Sequence, residues 1–106
     1  MLVRRNEAIK TIYVTPGQDL VSDEALALRR EIEGWAGHET ERLVLDLARV
    51  KVIDPVGLET IIALYDRLCA IGGELIIENA SAELKRFFQL MRGSGRLTIS
   101  GTGWPG

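Results

Sequence analysis

The sequence has a single cysteine, Cys69, and a single histidine, His38, in 106 residues. One thiol excludes an intrachain disulfide and any cysteine-rich zinc site. The lone histidine sits between Gly37 and Glu39 in an expected surface loop, with no obvious nucleophile for it to serve. No apolar run approaches the roughly 18 residues needed to span a bilayer, and the N-terminus lacks the apolar core of a signal peptide. The formal net charge is only −2, so no global field draws the chain to nucleic acid or to an anionic membrane. The basic pairs Arg4-Arg5 and Arg29-Arg30 are too short to make a nucleic-acid patch. The glycines form no phosphate loop, because Gly93-Ser94-Gly95 and Gly101-Thr102-Gly103 lack both the Lys-Ser/Thr and the strand-to-helix setting. Nor is there the set of clustered acids and a late lysine that a receiver-type phospho-acceptor site needs. There is no internal repeat. These absences leave a small cytoplasmic domain with no expected cofactor, metal site or enzymatic activity.

What is present is a regular alternation of short apolar runs and amphipathic segments. With 46% hydrophobic and 26% charged residues, the composition is that of an ordinary globular domain, and the length suits one domain with a real core. Met1 to Arg5 reads as a short edge strand and Ala8 to Val14 as a second one, rich in β-formers and ended by Pro16-Gly17. Two strands this close pair as an antiparallel hairpin. Ser22 is the expected N-cap of a helix whose stripe is Ala25, Leu28, Ile32 and Trp35 and which stops near Ala36. Arg42 to Ala48 reads as a buried strand. Asp54 then caps a second helix, with Pro55 at its first position, where the missing N–H costs nothing. At about 100° per residue, Leu58, Ile61, Ile62, Tyr65, Leu68 and Cys69 share its inner face, Thr60, Ala63 and Arg67 point away, and Leu64 lies on the flank. Gly72-Gly73 stops it. Glu74 to Glu78 is another strand, Ser81 caps a third helix with the core stripe Leu84, Phe87, Phe88 and Met91, and Arg96 to Ile99 is a last short strand.

The order β-β-α-β-α-β-α(-β) predicts an α/β domain with a mixed sheet and helices mainly on one face. The domain is expected over residues 1–99, followed by a flexible Gly-rich tail at 100–106. Asp46 and Asp54 flank the strand-to-helix loop. Without a further ligand cluster Asp46 is read as a strand-end residue or as paired with a partner such as Arg49, and Asp54 as a helix cap; they are not read as an acid–base pair. Cys69, on the core stripe, is read as an inert thiol.

The stretch LVLDLARVKVIDPVGLETIIALYDRLCAIGGELIIENASAELKRFFQL resembles the STAS family, the sulfate transporter and anti-sigma factor antagonist domains. The resemblance lies in LVLDL, Val52-Ile53-Asp54, Gly57-Leu58, Ile71-Gly72-Gly73, ELIIE and the helix opened by Ser81. It covers Leu43 to about Ile99, and Gly17-Gln18-Asp19-Leu20 resembles the turn before the family's first helix. It implies a single-domain STAS-like fold and a protein-interaction module without chemistry of its own, similar to the free-standing antagonists. In those members the loop reads Asp-Ser-Ser/Thr-Gly, and its first hydroxyl is phosphorylated by a partner that is both anti-sigma factor and kinase. Here the loop reads Asp54, Pro55, Val56, Gly57, with no hydroxyl. The expected partner surface is Asp54, Pro55, Val56, Gly57, Glu59, Thr60, Ala63, Leu64 and Arg67. The implied partner is an anti-sigma factor/kinase-like protein or another STAS protein, and a second copy of the chain is also admissible. Neither nucleic acid nor membrane insertion is expected. The alternative functions are a cytosolic regulatory subunit of a membrane transporter complex and a nucleotide- or lipid-binding domain.

Overall fold

The computed structural model of the protein describes residues 2–6, 8–34, 41–91 and 97–100. Its elements run β1 (Leu2–Asn6), β2 (Thr11–Thr15), α1 (Ser22–Gly34), β3 (Arg42–Asp46), α2 (Pro55–Ala70), β4 (Glu74–Glu78), α3 (Ala82–Met91) and β5 (Leu97–Ser100). The five strands form one sheet in sequence order. β1 is antiparallel to β2, and β2, β3, β4 and β5 are mutually parallel. Each helix therefore crosses between neighbouring parallel strands in the same direction. Right-handed crossovers of this kind put all three helices on one face.

Burial agrees with that topology. Ile12, Val14, Leu43, Leu45, Leu75 and Ile77, which alternate along β2, β3 and β4, are completely buried together with Leu28 of α1, Ile61 of α2 and Phe88 of α3. The intervening residues form the second face, where one cross-strand row runs Arg4, Tyr13, Val44, Ile76. At the far end of α2, Gly72 adopts φ +75, the left-handed conformation that glycine takes at a helix stop.

Several boundaries differ from the sequence reading. Residues Ala8 to Lys10 are a turn and not the start of β2. The Asn6 side chain accepts from the Ala8 amide at 3.1 Å, and such Asx contacts favour turns over strands. α1 ends at Gly34. Trp35, the expected stop at Ala36 and His38 lie outside the described residues, as do the side chains of Ile32 and Met91. β5 takes in Ser100, one residue past the expected domain boundary, and the tail from 101 onward is outside the described residues.

The inner face of α2 is rotated from the expected one. Its buried residues are Gly57, Thr60, Ile61, Leu64, Tyr65 and Leu68, whereas Ile62 is 38% exposed. The rotation follows from packing: α2 lies against the sheet and also alongside α1, so its buried arc is turned toward α1. Thr60 tolerates burial because its hydroxyl donates to the Val56 carbonyl at 2.8 Å, which removes the cost of an unsatisfied polar group.

Candidate functional site

Two loops meet at the C-terminal end of the parallel strands, one leading into α1 and one leading into α2. Leu20 and Ile53 form an isolated parallel bridge, with the Leu20 amide donating to Val52 O and the Asp54 amide donating to Leu20 O, both at 3.0 Å. Two carboxylates lock this crossing from opposite sides. Asp19 Oδ1 accepts from the Lys51 and Val52 amides at 2.7 and 3.2 Å. Asp54 accepts from the Gly57 amide through Oδ1 at 2.8 Å and from the Ser22 amide through Oδ2 at 2.9 Å. Asp54 thus caps α2 and holds the first residue of α1 at the same time. Ser22 sits at φ 48, an uncommon conformation for a non-glycine residue.

Gly57 fits this crossing because it has no side chain. A Cβ there would lie 2.5 Å from the Leu20 carbonyl oxygen and 3.0 Å from Ile53 Cγ2. The first turn of α2 is therefore pressed against the backbone of the neighbouring loop, and Pro55 and Val56 are left outside.

The amides facing Asp54, Gly57 first and Ser22 second, hold its carboxyl below the ordinary value of 3.8; partial burial opposes them and the Val56 amide assists. Lowering the folded-state value means that the stabilisation is present above the unfolded value and is lost as pH falls through the folded one. Asp54→Asn keeps one acceptor oxygen and loses the charge. It should melt below wild type at pH 7, and the gap should narrow below about pH 4, where the unfolded carboxyl also binds its proton. Thermal melts of both proteins from pH 3 to pH 7 check this; a gap that stays constant over that range would contradict it.

Asp46 accepts from the Ala48 amide at 3.0 Å and from Asn79 Nδ2 at 3.1 Å. It ends β3 and ties it to the residue after β4. The expected partner Arg49 has no part in these contacts. Among the described residues no group of three or more His, Cys, Asp or Glu side chains could hold a metal ion, and no helix is long and apolar enough to cross a membrane. Cys69 is half-buried against the core.

The nine surface residues expected from the sequence separate into two groups. Pro55, Val56, Glu59, Ala63 and Arg67 are exposed, and Asp54 is partly so. Gly57, Thr60 and Leu64 are buried. Leu64, at 3% exposure, cannot serve as an exposed apolar anchor in this conformation, and Thr60 is the floor of a groove instead of a projecting residue. That groove runs between α1 and α2, has a volume of about 320 Å³ and is lined by Arg29, Glu33, Glu59, Thr60, Ala63 and Arg67. Sequence reading missed Arg29 and Glu33, which form an i,i+4 ion pair at 3.6 Å. It also missed that Val52, in the loop before α2, is 53% exposed. Arg29 and Glu33 lie off the α1 stripe, and neighbouring crossovers on one sheet face set α1 beside α2; together these were the available signal.

A family model described as the STAS domain matches residues 2–100. No curated protein matches the chain. Among solved structures, the anti-sigma factor antagonist SpoIIAA in its unphosphorylated form is similar, with a TM-score of 0.78 at 15% identity over 93% of this chain and 86% of that one. The Bacillus cell fate determinant SpoIIAA in its phosphorylated form gives 0.71 at 16% identity over 87% and 84%. An anti-sigma factor antagonist candidate from Thermotoga maritima, TM1081, gives 0.74 at 16% identity over 92% and 83%. Identities this low establish a shared fold.

Proposed function

Because the chain belongs to the STAS domain family, we propose that it is a non-catalytic protein-interaction module resembling an anti-sigma factor antagonist, with a proline where the phospho-acceptor hydroxyl would stand. The observation that carries this reading is the capped start of α2. Asp54 and Gly57 are both engaged in holding the loop crossing, while Pro55 and Val56 project from it, exposed, beside the α1–α2 groove. An exposed apolar step beside a charged groove supports a contact surface. Its partner would be an anti-sigma factor/kinase-like protein or another STAS protein, docking on Pro55, Val56, Glu59, Ala63 and Arg67 together with Arg29 and Glu33 of α1.

Free helix N-termini favour negative charge, so a phosphate at this loop would be well placed electrostatically. The loop from Asp54 to Gly57 offers no hydroxyl to carry it. The module would then stay in one binding-competent state. Incubation with ATP and the kinase-like partner, followed by intact-mass measurement and peptide mapping, should show no phosphate on residues 54 to 57. Phosphate on Asp54 would overturn the reading.

A further inference from the structure

The sheet face opposite the helices carries a row of side chains, Arg4, Tyr13, Val44 and Ile76, one from each of β1 to β4. Among the described residues no helix packs on it. Arg4 lies over the Tyr13 ring at 5.3 Å, which fixes both on this face. Two positions along the strands, the same face carries Asp46 and Glu78, directly paired across β3 and β4. Toward the other end Arg42 and Glu74 pair with each other at 3.6 Å and so neutralise one another. The charge that remains is segregated: Arg4 is positive on β1, Asp46 and Glu78 are negative at the ends of β3 and β4, and Tyr13, Val44 and Ile76 complete the row of Arg4.

We propose that this face is a self-association surface whose occupant is a second copy of the chain. The argument is charge complementarity under two-fold symmetry. Laying one copy on another about an axis parallel to the strands, between β2 and β3, puts β1 of each copy over β4 of the other. Tyr13 of each copy then lies at the level of Val44 of the other, which its own neighbours already bury to 6% exposure, so the contact falls to the half-buried Tyr13 and Ile76, and Arg4 falls over the level of Ile76. From there Glu78 is two residues along the strand, about 7 Å, within the span of an extended arginine side chain. The contact is isologous, so each Arg4–Glu78 pairing occurs twice. Adjacent strands lie about 4.8 Å apart and residues rise about 3.3 Å, so the four overlapping strands, β1 to β4, present roughly 300 Å² per copy. The total is below the usual range of about 1,200–2,000 Å² for stable complexes, so the dimer is weak and concentration-dependent. It leaves the groove between α1 and α2 open on the opposite side.

Sedimentation velocity on the full chain from about 10 µM to about 1 mM, a range suited to a small interface, should show a rising dimer fraction that falls with added salt. Arg4→Glu alone and Glu78→Arg alone each turn two attractions into two repulsions and should weaken association by about tenfold or more. An equimolar mixture of the two variants restores both pairings and should associate as well as wild type. That recovery also shows that both variants are folded. A wild-type chain that stays monomeric throughout, a dimer insensitive to both substitutions, or a mixture no better than the single variants would each overturn the proposal. Ala63→Arg, on the other face, should leave the dimer unchanged, which separates this surface from the partner-binding reading.

Discussion

Phe88→Ala should cost about 3–5 kcal/mol, the range for deleting a fully buried aromatic side chain. Phe88 is completely buried, is one of the largest such side chains in the protein and meets Phe87 edge-on at 5.3 Å. Among the described residues of α3 it is the apolar side chain that enters the buried core, with Leu84 and Phe87 packed partly buried against that core. A domain is stable by only about 5–15 kcal/mol, so the loss is a large share of the total. The melting temperature should fall by about 15–25 °C at this size. Phe87→Ala should cost less, because Phe87 is only partly buried. Urea melts of the two variants check both statements. A change in Phe88→Ala within about 0.5 kcal/mol, the range of surface substitutions, would mean that α3 does not dock as described.

Ala63→Arg should abolish partner binding while leaving the melting temperature nearly unchanged. Ala63 lines the groove between α1 and α2 and is exposed, so a longer side chain there has room in the free protein and obstructs a docked partner. The groove already holds Arg29 and Arg67 against Glu33 and Glu59, and a third cation upsets that balance. Val56→Asp should weaken binding by a smaller factor, since it places negative charge at the start of α2, where acids are tolerated for helix stability. A partner that binds Ala63→Arg with undiminished affinity would move the interaction surface elsewhere.

Backbone-level features were readable in the sequence where one residue type has one good reason to be present. β4 has the expected bounds, because ELIIE is short, apolar and enclosed between Gly73 and Asn79-Ala80. Asp54 and Pro55 occupy the cap and first position of α2, and Ser81 Oγ accepts from the Leu84 amide at 3.3 Å at the start of α3. The face of α2 was not readable, because hydrophobic identity alone favours Ile62 over Thr60. The choice is made by α1 packing alongside and by the internal hydrogen bond of Thr60. The loop crossing was hidden for a related reason. Asp19 and Asp54 reach across 32 residues of sequence to accept from Lys51 and Ser22, and no local pattern marks such a contact. Glu24, in the first turn of α1, is buried and accepts from the Gly17 amide, a contact that its place in the helix start does not announce.

The central claim is that a STAS surface without a hydroxyl at its helix start binds its partner in one permanent state. The most direct measurement is a titration of the captured kinase-like partner against the wild-type chain, with and without ATP and magnesium. The account predicts the same affinity in both, with binding lost in Ala63→Arg under either condition. An affinity that collapses when ATP is added, with phosphate recovered on a hydroxyl of this chain, would contradict it.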